Sequence, residues 1–175
     1  MHRAFVDEPF NVEMYGPDLL TRWAGSWALF QGIQRDEYAI ALGAHVGEAI
    51  VGVLVGSLPG HCHVCDVVAL TPQPSDPLDA IDWQFHQNIA VVHAPLGPHA
   101  WVSKVTVEPA LHGLGIGRIL LKEAYESFRV AAPTILLLEC QPHRQGFYES
   151  AGFEPVTTFP DPAGPDALLM RRDVH

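Results

Sequence analysis

Cysteine is nearly absent. Cys62, Cys65 and Cys140 are the full complement in 175 residues. Three thiols at these spacings cannot build the disulfide framework of a small secreted domain. Positive charge is also scarce: ten Lys and Arg face twenty Asp and Glu, a formal net charge of −10. Nonspecific nucleic-acid binding depends on many cations that displace counterions, so the charge balance argues against a nucleic-acid partner. No apolar run reaches bilayer length. The most apolar stretch, Ala49–Leu58, is interrupted by Gly52 and Gly56 and stops at Pro59, which argues against a membrane role. Asp7 and Glu8 interrupt the N-terminus before a signal-type apolar segment can form. Internal repeats and long low-complexity linkers are lacking as well. These absences leave a single soluble domain spanning residues 1–175, expected in the cytoplasm. The acidity suits a cationic partner such as an amine, although solubility alone explains it more simply.

What is present is a mixture of strands and helices that does not alternate strictly, which predicts an α+β fold. Pro17 and Asp18 open a helical pattern whose apolar face carries Leu19, Leu20, Trp23, Trp27 and Phe30. Such a stripe is core by default, with lining of an acceptor pocket as the alternative. Residues 38–44 and 48–57 read as two strands of a hairpin. Pro72, Pro74 and Pro77 punctuate a loop, and residues 79–92 then have helical spacing. Trp101 to Val107 reads as a strand ended by Pro109. A helix is expected from Ile116 to Val130, with Ile119, Leu120, Ala124, Tyr125 and Phe128 as its apolar stripe. Residues 134–140 form a continuous apolar run, as in a strand buried on both faces. A short helix over 146–152 follows, capped by Gly152 with Phe153 folding back, and then strands near 154–159 and 167–171.

The segment Val105–Leu121 carries the chemistry. A strand ends, a turn holds Gly113, Gly115 and Gly117, and a helix starts directly behind it. Glycines let successive backbone N–H groups point into one hollow. The helix start adds unpaired N–H groups and a positive dipole end. Together these favour a diphosphate ligand, with Arg118 and Lys122 as added charge. A P-loop would need Gly-Lys-Ser/Thr, and Arg118-Ile119-Leu120 stands there instead. A dinucleotide fingerprint needs a third glycine where Arg118 or Leu120 lies, although Glu139 sits where a ribose contact would be expected. A nucleotide-linked oxidoreductase therefore remains an alternative.

The run His112-Gly113-Leu114-Gly115-Ile116-Gly117 resembles the acyl-CoA signature of the GNAT superfamily of N-acetyltransferases, Gln/Arg-x-x-Gly-x-Gly/Ala. Residues 147–155, FYESAGFEP, resemble the second motif of that family. The order of elements from Trp101 to the C-terminus is similar too. His112 and Gln141 depart from the family's usual Gln or Arg and Asn. The resemblance implies a mixed, mostly antiparallel central sheet flanked by helices and splayed between the strands near 101–107 and 134–140. It implies acetyl-CoA as cosubstrate and direct attack of an amine on the thioester. The backbone of Val105, Thr106 and Val107 would hold the pantetheine arm. His112, Gly113, Leu114, Gly115, Ile116, Gly117 and Arg118 would hold the diphosphate, with Gln141 and Arg144 also on the cofactor side. Tyr148 would protonate the leaving thiolate, a weak but workable donor at the usual tyrosine pKa of about 10.

A Lys-like amine is mostly protonated at neutral pH, a deficit of roughly 4 to 5 kcal/mol, so a base is useful. Glu108 and Glu139, both at strand ends, are the candidates. If His112 meets the diphosphate as imidazolium, coenzyme A binding should weaken as pH rises through its pKa. The acceptor would be a small-molecule or peptide amine, and a homodimer suits an apolar-rich acidic domain. A module that binds acyl-CoA without turning it over is the non-enzymatic alternative. His61-Cys62-His63-Val64-Cys65-Asp66 has zinc-like spacing without a second paired ligand set, and His86 and His93 look isolated, so no metal site is expected.

Overall fold

The computed structural model describes residues 39–58, 72–130 and 135–175. The helix expected over 17–30 and the segment 61–66 lie outside the described residues. Strands β1 (Ala39–Val46) and β2 (Ala49–Ser57) form the expected hairpin, turning at Gly47 with φ +59°. Helix α1 (Pro77–His93) starts two residues earlier than its apolar spacing suggests. Pro77 suits a first helical position, and the Asp76 carboxylate accepts the Asp79 N–H at 3.3 Å as an N-cap. Then come β3 (Ala100–Val107), α2 (Ile116–Val130), β4 (Ile135–Cys140), α3 (Gln145–Glu149), β5 (Glu154–Phe159) and β6 (Ala167–Asp173).

The six strands form one open sheet in the order β1-β2-β3-β4-β6-β5. Only β3 and β4 run parallel, so the sheet is mixed and mostly antiparallel. Period-2 alternation sorts its residues onto two faces. On one, Val102, Leu136, Leu138, Cys140, Leu168 and Met170 pack under α2 and Phe153. On the other, Trp101, Ile135, Leu137, Leu169 and Phe159 pack with Ile89 of α1. Each fully buried Leu or Phe contributes roughly 1.5–3 kcal/mol, so both faces are needed to hold the sheet.

The buried stripe of α2 is Leu120, Leu121, Ala124 and Phe128. Ile119, expected on it, is 58% exposed. The correction follows from 100° per residue: a face centred on Ala124 and Phe128 takes in Leu121 and leaves Ile119 outside. At the end of α3, the Phe153 N–H donates to the Tyr148 carbonyl (3.1 Å) and the Gly152 N–H to that of Glu149 (2.9 Å). Gly152 has φ +86°, and the Phe153 ring lies edge-on to Tyr148 at 6.2 Å. These are the two bonds and the apolar contact of the Schellman end that the sequence predicts.

The sheet parts where a bulge sits. β3 and β4 pair only at Ala100↔Leu136, Trp101↔Leu137 and Val102↔Leu138. On the other side of β3 the register slips: Val55 opposes Lys104 while Gly56 opposes Val102, so Ser103 is the extra residue. Its Oγ donates to the Val55 carbonyl at 3.2 Å. A bulge bends its strand, and this one lies directly after the last residue paired with β4. Gly56 permits it, since a Cβ there would stand 2.4 Å from the Trp101 carbonyl oxygen and 2.8 Å from Phe128.

Candidate active site

The glycine turn spends few of its amides. In the short 3-10 turn Pro109–Leu111, the Leu111 N–H donates to the Glu108 carbonyl (2.8 Å) and the His112 N–H to Pro109 (3.2 Å). The Leu114 N–H reaches Leu111 at 3.4 Å, and the helical ladder begins with the Ile119 N–H on Gly115 at 3.1 Å. The N–H groups of Gly113, Gly115, Ile116, Gly117 and Arg118 donate to no acceptor among the described residues. Gly113 and Gly115 have φ of +82° and +83°, which side-chain-bearing residues rarely adopt. Gly117 is needed for space, because a Cβ would lie 3.0 Å from the Phe147 ring. Five such amides at the start of a 15-residue helix are the donor arrangement that suits an anion.

The strand beside it has free main chain as well. The Glu108 N–H donates to the Val51 carbonyl at 2.8 Å. With Gly52 opposite Val107 and Val53 opposite Thr106, antiparallel alternation turns Thr106 and Glu108 towards β2. Val105 and Val107 therefore aim their N–H and C=O groups into the gap that β4 has left. Thr106, grouped in the sequence reading with its neighbours as a main-chain contact, has its main chain on β2 instead. The Val107 carbonyl accepts Nε2–H of His112 at 3.0 Å. The imidazole thus fastens the turn to the strand, and that nitrogen is not directed at a diphosphate.

Tyr148 is half-buried on α3, with its ring edge-on to Phe147 at 4.9 Å. At the end of β4, Gln141 donates through Nε2 to Asp161 at 2.7 Å, and its Oε1 is buried with no hydrogen-bond partner among the described residues. An orphaned acceptor at the parting of the strands suits an amide N–H of a bound pantetheine arm. Arg118 donates to Ser150 Oγ at 3.1 Å and, with Lys122, Gly152 and Arg172, lines a hollow of about 340 Å³. Arg172 is held there by the Ala151 carbonyl (2.9 Å) and by the Tyr125 ring, 3.7 Å below its guanidinium. Sequence reasoning missed Arg172, whose place on the last strand says nothing of what it faces. Arg144 is exposed beside His143.

The two candidate bases differ in surroundings. Glu108 is half-buried at the end of β3. Glu139 is the first β4 residue beyond the pairing with β3, and it accepts Trp101 Nε1–H at 2.8 and 3.1 Å and His93 at 2.6 Å. His93 is not isolated, as its sequence context suggests, because it also meets His99 at 3.1 Å. Cys140 points to the α2 face. Burial first, then the neighbouring Glu139 charge, push its thiol up to about 11.

Residues 80–155 match the family model described as an acetyltransferase (GNAT) domain. Over that stretch the chain is similar to GNAT acetyltransferases. Solved GNAT-type structures share its fold. A putative arylalkylamine N-acetyltransferase 7 from the yellow fever mosquito aligns over 99% of this chain and 81% of its own, with a TM-score of 0.69 and 16% identity. A histone acetyltransferase HPA2-related acetyltransferase from Corynebacterium glutamicum aligns over 98% and 86%, with a TM-score of 0.64 and 22% identity. The ribosomal-protein-S18-alanine N-acetyltransferase of Escherichia coli aligns over 84% and 76%, at 0.54 and 14%. At such identities the likeness is one of fold. No curated protein matches the sequence. Among the described residues, no helix is long and apolar enough to cross a membrane.

Proposed function

We propose that the protein is an acyl-CoA-dependent N-acyltransferase that passes an acetyl group from acetyl-CoA to a primary amine by direct attack, residues 1–175 acting as one domain. The observation that carries this reading is the set of five uncommitted amides from Gly113 to Arg118, beside a strand edge that has lost its neighbour. Acetyl-CoA, as cosubstrate, supplies an activated thioester. The amides of the turn and Arg118 hold its diphosphate, and Val105 and Val107 hold the pantetheine arm through main-chain bonds. The Val107 N–H steadies negative charge developing on the carbonyl oxygen. Tyr148 donates its phenolic proton to the departing sulfur. Glu108 and Glu139 are the candidate acceptors of the amine's proton.

A buried thiol held near 11 is a poor nucleophile at neutral pH, so Cys140 does not favour a route through an acyl-cysteine, and direct attack is the simpler chemistry. The acceptor is a small-molecule or peptide amine. Two measurements test the reading: calorimetric titration with acetyl-CoA and with NAD(H), and thiol release from acetyl-CoA across a panel of amines. Binding of acetyl-CoA with amine-dependent release is expected. Binding of NAD(H) instead would favour the oxidoreductase, and acetyl-CoA binding without release under any amine would favour a sensor.

A further inference from the structure

Behind the parting of β3 and β4, Glu139 ends a polar chain whose two histidines the reading above leaves without a role. His99 Nδ1 lies 2.7 Å from the Gly97 carbonyl oxygen. His99 Nε2 lies 3.1 Å from His93 Nδ1, and His93 Nε2 lies 2.6 Å from Glu139 Oε1. Trp101 Nε1–H donates to the same carboxylate. His93, His99 and Trp101 are buried, His93 with no accessible surface, and the Glu139 side chain keeps 8% of its surface accessible. We propose that Glu139, His93 and His99 form a one-proton acceptor that takes the proton released by the acceptor amine. Glu139 touches the amine, and the two histidines are positioning residues behind it. This inference rests on the amine-acylation reading.

Counting protons carries the argument. A carbonyl oxygen only accepts, so His99 must donate through Nδ1 to Gly97. Three contacts in series, at 2.7, 3.1 and 2.6 Å, then need three protons, one in each gap. Two neutral imidazoles and an ionised carboxylate bring two. With two, one gap sets lone pair against lone pair and the buried cluster carries a net charge of −1. With three, every gap is filled and the cluster is neutral. Burial penalises net charge and unsatisfied polar atoms alike, so the cluster has room for one proton and a driving force to take it. The step balances: an ammonium gives up one proton to become the attacking amine, and the cluster goes from −1 to 0. The proton returns to solvent through Glu139 after product leaves.

Position agrees with this role. The glycine turn and α2 serve the Leu136–Leu138 face of β4, while Glu139 and Trp101 face α1. A thioester reaching the gap from the α2 side leaves the α1 side for the amine. Glu139 stands there, one residue past the last β3–β4 pair. The other charged groups of the surrounding described elements have their own places. Arg171 on β6 is bridged to Asp173, and Asp161 accepts from Gln141 and from the Ala163 N–H. Asp82 pairs with His86 on α1, Lys104 follows the bulge on β3, and the Cys140 thiol lies on the opposite face.

The first test is nitrogen-15 NMR of histidine-labelled full-length protein across the pH range. We expect a far-downfield proton signal from the short His93–Glu139 contact, which Glu139→Gln abolishes. The second is the pH profile of kcat with the amine found by the thiol-release panel. His93→Gln can donate to Glu139 but cannot carry the mobile proton. It should lower kcat at least about tenfold and shift or erase the acidic limb, while the Kd for coenzyme A stays within about twofold. A purely structural role would lower the melting temperature and leave that limb unmoved, and such a result would overturn the proposal. So would a wild type that shows no such downfield signal at any pH. Should His93→Gln not fold, the wild-type NMR signature decides. Failure of the parent reading looks different: the wild type would not bind coenzyme A or release thiol under any amine.

Discussion

The two faces of the sheet meet at the gap between β3 and β4, and they are built on opposite terms. The α2 face offers main chain: amides freed by positive-φ glycines and by a bulge that bends the strand away. Behind them stand side chains that are almost wholly apolar. The α1 face offers side chains: two histidines, a tryptophan and a glutamate drawn from a helix, a loop and two strands. A main-chain site binds any ligand with the right phosphate geometry and tolerates changes in side chain, provided φ and space are kept. A side-chain network is specific and fails with a single substitution. The contrast suits a common cosubstrate on one side and a particular acceptor on the other.

The comparison can be broken first at its support. Phe128 is fully buried between α2 and the sheet, so Phe128→Ala should cost about 4 kcal/mol in denaturant unfolding. A loss below about 1 kcal/mol would show that the apolar face does not hold the gap open. Tyr148→Phe should lower kcat by about 100-fold, with coenzyme A affinity nearly unchanged by calorimetry. Full turnover would remove the phenol from the chemistry. Gly115→Val forces a β-branched residue into φ +83° and should weaken coenzyme A binding by about tenfold, a strain of about 1–2 kcal/mol. Unchanged affinity would mean that the turn's amides are not the diphosphate site. The smallest effect concerns Cys140. Its thiol ionises only towards 11, so its alkylation should lag behind a free thiol at pH 9 and keep rising above it. Peptide-level mass spectrometry reads this, and an early plateau would contradict the burial.

Much of the α2 side was legible because its signals are local. The bounds of α2, the glycine turn and the Schellman end at Gly152 depend on neighbours a few residues away. Where the reading slipped, the deciding contact was distant. Ile119 reads as core until α2 is set on the sheet, and Thr106 reads as a cofactor contact until Val53 pairs with it. His112 reads as a phosphate ligand until its ring is seen on the Val107 carbonyl. His93 looks solitary because its partners lie 6 and 46 residues along the chain.

Periodicity and glycine placement, which act over one or two turns of chain, were enough to determine the elements, the order of strand, turn and helix, and the positive-φ glycine turn with its uncommitted amides. Tertiary structure alone decided where the sheet opens and which charged side chains share a buried space. A one-residue bulge and a 2.6 Å contact between residues 46 apart depend on how β2, β3, β4 and α1 are laid together, and no local pattern encodes that.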